Sequence, residues 1–263
     1  MELVFLNHKV EEENINLVVH HNTITGLVND SNKTIFNLLS LKKIGRGQII
    51  INNDKVAKDE IFINQKRISE VTDNIIFPVY VNTVEELMNN YLRIYNLNVK
   101  DPSKKLKDSL KIVGLDEEYI SHEVNTLSSS EKKLITIAIG LLSNPDTLIL
   151  EEPFKYLDLK QEKRLYMLLQ KFKEQYNKTI IIKSDNSDII YKYTEEVIIV
   201  KNNNILIDGD TKEVYQRVDF LKRNGINIPE IVMITYLAKK DKEVKIDYHK
   251  DIRDIIKDIY KHV

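Results

Sequence analysis

Short apolar runs separated by polar turns dominate the first part of the chain. Residues 15–19 and 23–28 are rich in β-branched and aliphatic side chains, which predicts two strands. Over residues 34–41 apolar side chains recur every three or four positions, which predicts a helix. Residues 48–54 end in the turn sequence Asn-Asn-Asp and predict a hairpin. The pattern indicates a strand, a loop and a helix beside a small antiparallel subdomain.

Helical periodicity and then alternation of strands and helices characterise the rest of the chain. From about 84 to 143 the pattern is helical, with a break at Asp101 and Pro102. Beyond it the predicted elements are strand 148–150, helix 160–176, strand 179–182 and strand 197–200. Strands that alternate with helices are typical of a parallel sheet, so the pattern predicts an α/β fold.

Composition narrows the class of protein. The 263 residues include 42% hydrophobic side chains, carry a formal net charge of −1 and contain no cysteine. The near-zero charge gives no general attraction to nucleic acid, and the lack of cysteine excludes disulfides and thiolate metal sites. No apolar stretch approaches the roughly 20 residues that cross a bilayer, and residues 1–10 lack the apolar core of a signal peptide. We therefore expect any contact with a membrane to be peripheral.

Three short motifs follow one another in the second half of the chain. They are Leu-Ser-Ser-Ser-Glu at 127–131, Asp-Thr-Leu-Ile-Leu-Glu-Glu-Pro at 146–153 and Tyr-Leu-Asp at 156–158. In order and spacing they closely resemble the ATP-binding cassette (ABC) family, the nucleotide-binding subunits of ABC transporters. The resemblance implies a P-loop NTPase-like parallel sheet core, an antiparallel β subdomain and a helical subdomain at about 84–143.

The resemblance extends to about residue 240. It implies an ABC-type nucleotide-binding domain over 1–217 and a small C-terminal extension over 218–263. Residues 218–230, with Tyr-Leu-Ala at 236–238, resemble the extension of energy-coupling-factor (ECF) transporter ATPases. This match is narrower than the match to the cassette alone.

The phosphate-binding loop departs from the family pattern G-x-x-x-x-G-K-[ST], in which glycines let backbone N–H groups close on the phosphates. The corresponding segment is about three residues shorter and lacks glycine, and its residues are Asn29, Asp30, Ser31, Asn32, Lys33 and Thr34. Lys33 and Thr34 could be relics of the lysine and hydroxyl pair. The alternative is a capped helix start, with Ser31 or Asp30 as the N-cap. We expect that this loop cannot wrap a triphosphate.

Two aspartates stand where the resemblance implies a neutral and a cationic contact. Asp73 aligns with the glutamine that reaches Mg²⁺ and the attacking water, and Asp185 aligns with the switch histidine. Each aspartate on its own could be an ordinary solvated loop residue. Together, with the compensating lysine gone, they should repel a triphosphate, since a charge pair at about 4 Å is worth roughly 4 kcal/mol at an effective dielectric of about 20.

The Walker B segment is altered less. The resemblance places Glu152 at the catalytic glutamate, which polarises the hydrolytic water, and Glu151 at the Mg²⁺-binding aspartate, as a weak metal ligand. Asp158 matches the loop through which two cassettes communicate across their dimer interface. These residues leave open that the chain is an active ATPase.

The signature motif keeps its serine but has lost its glycines and its glutamine. Ser128 matches the serine that reaches the γ-phosphate on a partner chain, whereas Ser129 and Ser130 replace glycines and Glu131 replaces glutamine. One hypothesis is that the chain lends Ser128 to an intact cassette. The alternative is a purely structural role, because the added side chains crowd the approach to phosphate.

Three functions therefore compete. The first is a degenerate ABC subunit of an ECF-like membrane transporter, with impaired ATP binding and hydrolysis, that pairs with an active cassette. The second is an active ATPase that drives transport of a small molecule, and the third is a stand-alone regulatory module on the cassette fold. The family hydrolyses ATP, and we predict that this chain is weak or inactive.

The resemblance also implies a cofactor, partners and a location. The cofactor is Mg-ATP, or no nucleotide is bound by this chain alone. The partners are a second, identical or different, cassette and a transmembrane coupling subunit. The chain itself is expected in the cytoplasm, peripheral on the inner face of the cell membrane. The coupling subunit would dock at a groove that includes residues 77–81, although an ordinary packed loop is the alternative there.

Overall fold

Two β-sheets and the helices packed on them organise the part of the chain that the computed structural model describes, residues 1–10, 13–74, 77–242 and 246–261. The smaller sheet is antiparallel, and its strands are β1 Leu3–Val10, β2 Glu13–Val19, β4 Arg46–Ile51 and β5 Asp54–Lys55. They lie in the order β2-β1-β4-β5. The predicted hairpin near 48–54 is confirmed, because β4 pairs with β5 across that turn.

The larger sheet forms the centre of the molecule. Its strands are β3 Ile24–Val28, β6 Ile68–Val71, β7 Thr147–Glu151, β8 Thr179–Lys183, β9 Glu196–Lys201 and β10 Asn204–Asp210. The order is β10-β9-β3-β8-β7-β6, and every pairing is parallel except that of β10 with β9. All residues of β3, β7 and β8 are buried, as expected for parallel strands covered on both faces.

Helices cover both faces of the larger sheet. They are α1 Thr34–Leu39, α2 Ile61–Gln65, α3 Val84–Ile94, α4 Pro102–Val113, α5 Ser129–Leu141, α6 Leu159–Tyr176, α7 Ser187–Tyr193, α8 Thr211–Tyr215, α9 Val218–Arg223, α10 Glu230–Lys242 and α11 Ile252–Lys261. The described residues also include the 3-10 helices Lys58–Glu60 and Glu117–Ser121. Within the described residues, no helix has the length and apolar character required to cross a membrane.

The helical subdomain begins and breaks at the residues that the sequence marks. The Thr83 hydroxyl accepts a hydrogen bond from the Glu86 backbone N–H at 3.2 Å and so caps α3. Pro102 is the first residue of α4, and the Asp101 carboxylate accepts from the Lys104 backbone N–H at 3.0 Å. The predicted break at these two residues is therefore the start of a helix.

Two hydrophobic cores flank the larger sheet. One lies between this sheet, α1 and the antiparallel sheet, and the other lies between this sheet and α3 to α6. Gly140 lets α5 approach β6 closely, since a Cβ there would lie 2.6 Å from Val71 Cγ2. The sheet and the helical subdomain thus form a continuous packed unit.

The C-terminal extension packs on the same core. Val218, Leu221 and Val232 belong to the buried cluster of the larger sheet, and Ile255 of α11 is also buried. Residues 243–245 and 262–263 of the predicted extension, 218–263, lie outside the described residues.

Candidate functional site

The carboxyl ends of β3, β6, β7 and β8 meet at one edge of the larger sheet. β3 leads into the glycine-free loop 29–34, β7 ends at Glu151, and β8 ends at Lys183. Asp73 follows β6 by two residues. Ligands of open α/β sheets bind outside this edge, so the topology brings the sequence-predicted residues to the expected place.

The glycine-free loop 29–34 is short and is hydrogen-bonded to the hairpin formed by β9 and β10. Asn29 and Lys33 both adopt left-handed backbone conformations, with φ of 62° and 54°. The Asn29 side-chain amide donates to the Val200 carbonyl at 2.9 Å, and that of Asn32 donates to Asn203 Oδ1 at 2.9 Å. These bonds hold the loop against β9 and the turn that follows it. Asn29 and Lys33 thereby adopt backbone conformations that glycine adopts more easily.

Asp30 binds the first turn of the helix that would receive a phosphate. Its Oδ2 accepts from the Phe36 backbone N–H at 2.7 Å. Burial raises the pKa of Asp30, although hydrogen bonds from Phe36, Ile35 and Thr34 oppose that effect. The N-cap of α1 is Lys33, so the predicted N-caps Asp30 and Ser31 are both wrong, and Asp30 instead binds a backbone N–H of the first turn from outside the helix. The chain's own carboxyl group therefore takes donors that a phosphate would need.

Glu151 is the centre of a buried ion-pair cluster. Its Oε2 lies 2.7 Å from Lys33 Nζ, and its Oε1 lies 3.1 Å from Lys183 Nζ. The Asp73 backbone N–H also donates to Oε2, at 3.1 Å. Burial alone would raise the pKa of Glu151, but the hydrogen bonds from Lys33, the Asp73 backbone and Lys183 lower it below its ordinary value. Lys33 thus binds a carboxylate of the same chain.

The residues at the Mg²⁺ position do not fit a metal ion. Both oxygens of Glu151 already accept hydrogen bonds, two of them from ammonium groups that would repel a cation. No group of three or more histidine, aspartate or glutamate side chains in the described ranges is arranged to hold a metal. The predicted role of Glu151 as a weak Mg²⁺ ligand stays a prediction, and in this structure its carboxylate is occupied by Lys33 and Lys183.

Asp73 is held between two further lysines. Lys133 Nζ lies 3.0 Å from its Oδ1, and Lys155 Nζ lies 2.8 Å from its Oδ2. Lys133 is fully buried and also donates to the Glu151 carbonyl at 3.4 Å. Burial alone would raise the pKa of Asp73, but the hydrogen bonds from Lys155 and Lys133 outweigh that effect and lower it.

These pairs correct the electrostatic expectation from the sequence. The prediction took the substituted acids as uncompensated charges that would repel a triphosphate. Of the two aspartates in that prediction, Asp73 is paired with Lys133 and Lys155, whereas Asp185 accepts a hydrogen bond from the Asn29 backbone N–H. Glu151 is paired with Lys33 and Lys183. Asp73 is therefore not an uncompensated charge, and the four lysines are engaged within the chain. The loss of triphosphate binding stays a prediction.

Glu152 and Asp185 connect the ends of β7 and β8. The Ser184 hydroxyl donates to Glu152 Oε2 at 2.8 Å, and the Asp185 backbone N–H donates to Glu152 Oε1 at 2.9 Å. Asp185 Oδ1 in turn accepts from the Asn29 backbone N–H at 3.3 Å. Glu152 has a left-handed backbone with φ of 47°. The glutamate predicted to be catalytic thus has hydrogen bonds within the chain on both oxygens.

The signature residues form the N-terminus of α5 and also enclose a carboxylate. Ser128 is the N-cap, and its hydroxyl lies 2.8 Å from Glu131 Oε2 and 3.2 Å from the Ser130 hydroxyl. Glu131 accepts from the Ser128 backbone N–H at 2.7 Å and from the Tyr119 hydroxyl at 2.6 Å. The Tyr119 bond, followed by the Ser128 backbone bond, lowers the pKa of Glu131. Ser129 is the exposed first residue of the helix.

Asp158 also has a local structural role. Its carboxylate caps α6 by accepting from the backbone N–H groups of Lys160 at 2.8 Å and Gln161 at 2.7 Å. The predicted role of this residue in communication between two cassettes stays a prediction.

Sequence reasoning missed three of the four lysines. Lys133 lies among the apolar residues of a buried helix, and Lys183 ends a strand that is otherwise apolar. A lysine at such a position is seldom fully buried unless it is paired, so both carried a signal. Lys155 is exposed and carried none.

The family is decided by comparison with known proteins. The model of the family described as ABC transporter matches residues 13–155. This chain belongs to the ABC transporter family. The predicted family and the α/β cassette fold are confirmed.

Individual relatives agree with this assignment. The energy-coupling factor transporter ATP-binding protein EcfA2 of Clostridium tetani is 26% identical over 238 residues, which cover 88% of this chain and 82% of that protein. CbiO1 of Clostridium perfringens, part of the ABC transporter complex cbiONQ, has a TM-score of 0.70 at 21% identity and covers 89% of this chain and 98% of its own. The ATP-binding cassette MJ0796, in a dimeric post-hydrolysis state bound to ADP and Pi, has a TM-score of 0.67 at 21% identity, with coverages of 80% and 98%. These two structures show the fold.

Proposed function

We propose that this chain is a degenerate cassette subunit of an ECF-like membrane transporter, which keeps its shape without ATP and pairs with an active cassette. The order of its motifs and its similarity to ECF ATP-binding proteins support the transporter assignment. The internal bonding of the nucleotide-site residues supports the loss of ATP binding.

The observation that carries the proposal is that Glu151 is ion-paired with lysines of the same chain. In an intact site, a lysine binds the β and γ oxygens of ATP and a carboxylate binds Mg²⁺. Here Lys33, the lysine of the glycine-free loop, and Glu151, at the Mg²⁺-binding position, bind each other at 2.7 Å, and Lys183 completes the cluster. Binding Mg-ATP would require breaking these ion pairs and leaving buried charges to find new partners, which is costly.

The signature side favours a structural role over the lending of Ser128. The carboxylate of Glu131 lies at the N-terminus of α5 and holds the Ser128 hydroxyl at 2.8 Å. The γ-phosphate of a partner would approach the same donors and meet a negative charge there. This chain would therefore support the partner cassette structurally, and Ser128 would not contact the phosphates of the partner's ATP.

Docking on a transmembrane coupling subunit at the inner membrane face is the second part of the proposal. Val79 and Tyr80 are exposed by 100% and 72%, next to a cavity of about 430 Å³ that includes Arg93. Exposed apolar side chains of this size are common at protein interfaces. The alternative of an ordinary packed loop is disfavoured by their exposure.

Titration calorimetry with Mg-ATP tests the loss of binding. The wild-type chain should give no binding heat and no thermal stabilisation up to millimolar nucleotide. The double variant Asp73→Asn with Glu151→Gln removes the carboxylates that pair with Lys33, Lys133, Lys155 and Lys183. A gain of affinity for phosphate or ATP in this variant would identify these carboxylates as the cause of the lost nucleotide binding. Micromolar binding by the wild type, with hydrolysis abolished by Glu152→Gln, would overturn the proposal in favour of an active ATPase.

A second measurement addresses the partner. The complex of this chain with its co-purified cassette and membrane subunit should hydrolyse ATP equally with wild-type Ser128 and with Ser128→Ala. A loss of tenfold or more, about 1.4 kcal/mol, would show that the serine is lent to the partner's site. Failure to recover any membrane subunit would favour the stand-alone regulatory module.

A further inference from the structure

A separate cavity of about 410 Å³ opens on the side of the molecule opposite the nucleotide site. It lies at the amino ends of β7 and β8, whereas Glu151 and Lys183 lie at their carboxyl ends. Its apolar lining consists of Ile112, Leu141, Pro145, Leu148, Phe172, Tyr176 and Ile180. Leu148 and Ile180 are buried and form the floor, while Ile112 and Tyr176 are half-exposed at the mouth.

Three lysines surround the mouth. Lys104 and Lys105 come from the first turn of α4, and Lys178 follows α6. Two carboxylates share the lining. That of Asp101 is engaged in capping α4, and with Asp108 counted the three lysines exceed the two acids by one positive charge. Among the residues that the structure describes, the Lys178 ammonium group makes long contacts, 3.4 Å to the Asn144 carbonyl and 3.6 Å to Asp146 Oδ1, although its side chain is mostly buried. These ammonium groups can therefore accept a closer anionic partner.

We propose that this cavity binds a small amphipathic carboxylate, with an aliphatic body of medium-chain length inside and its charged head among the lysines. The volume is within the range of roughly 300–1,000 Å³ that small-molecule sites have, and an apolar lining with a few polar groups is typical of them. The described lining residues include no arginine, which is the residue that recognises phosphate by paired hydrogen bonds. A carboxylate, with its single negative charge, therefore matches these lysines better than a phosphate does.

The position of the cavity gives an occupant a mechanical consequence. Its walls come from α4 in the helical subdomain and from α6, β7 and β8 in the core. A ligand would therefore bridge the two subdomains and hold α4 against the sheet. This inference stands apart from the proposed function, since no residue of the nucleotide site lines the cavity.

Intrinsic fluorescence provides a direct test, because the chain has no tryptophan. Tyr176→Trp places a reporter at the mouth, and Tyr260→Trp on α11 is the matched control, since both replace an exposed tyrosine on a helix. Decanoate should change the emission of the Tyr176→Trp protein saturably at roughly micromolar to sub-millimolar concentrations and leave Tyr260→Trp unchanged. Decanol, which has the same chain and no charge, should bind more weakly.

Charge variants of the reporter protein separate the site from general hydrophobic adsorption. Lys104→Gln with Lys105→Gln should weaken decanoate roughly fivefold and leave decanol unchanged. Lys160→Gln with Lys163→Gln on α6 removes the same charge away from the cavity and should have no effect. Thermal unfolding confirms that each variant is folded. Equal responses of both reporters, no saturation, or equal weakening by both lysine pairs would overturn the proposal.

Discussion

Replacing Lys33 by methionine should destabilise the fold through the loss of its bond to Glu151. The change keeps the aliphatic stem and removes the ammonium group 2.7 Å from Glu151 Oε2. Breaking one side of a fully buried ion pair costs about 3–5 kcal/mol. The Lys33 side chain is 40% exposed and Lys183 still holds the other oxygen, so we discount the loss to about 1–2 kcal/mol. For a chain of this size, the midpoint of thermal unfolding should fall by about 2–6 °C.

A double-mutant cycle isolates the pair. The free energy of unfolding in urea is measured for wild type, Lys33→Met, Glu151→Gln and the double variant, with Lys163→Met as an exposed control that should change it by less than about 0.5 kcal/mol. We expect a coupling energy of about 1 kcal/mol or more between Lys33 and Glu151. A coupling within about 0.3 kcal/mol of zero would refute the idea that the Lys33–Glu151 ion pair stabilises the fold.

Three other changes test further features. The folded-state pKa of Glu151 is lowered, so the ionised carboxylate stabilises the fold above the ordinary value of 4.5. This stabilisation is lost as pH falls through the lower folded value, and the coupling energy between Lys33 and Glu151 should decrease over that acid range. The pKa of Asp30 is raised, so stability falls as pH rises from 3.8 through the raised value, and Asp30→Asn should be relatively more stable than wild type at pH 7 than at pH 3. Gly140→Ala should lower the free energy of unfolding by about 1–3 kcal/mol despite better helix propensity, because the new methyl group would lie 2.6 Å from Val71; an unchanged urea midpoint would show that α5 can shift away.

The sequence by itself determined the order of elements and the family. Alternating apolar runs and turn residues predict the strands, and Asp101 with Pro102 predicts a helix boundary, because these signals act within a few residues of each other. The motifs at 127–131 and 146–158 also lie in one stretch of chain. Local patterns of this kind survive even where the residues that contact ATP have changed.

Only the tertiary structure decided what the altered site does. Lys33, Lys133 and Lys183 are far apart in the chain, and the parallel sheet with α5 packed on it brings them around Glu151 and Asp73. The sequence showed extra acids and predicted repulsion, since nothing local connects an aspartate to a lysine 60 residues away. Coulomb attraction depends on distance in space and on burial, both of which arise from long-range packing. The charge balance of this site therefore became visible only once the fold placed the lysines.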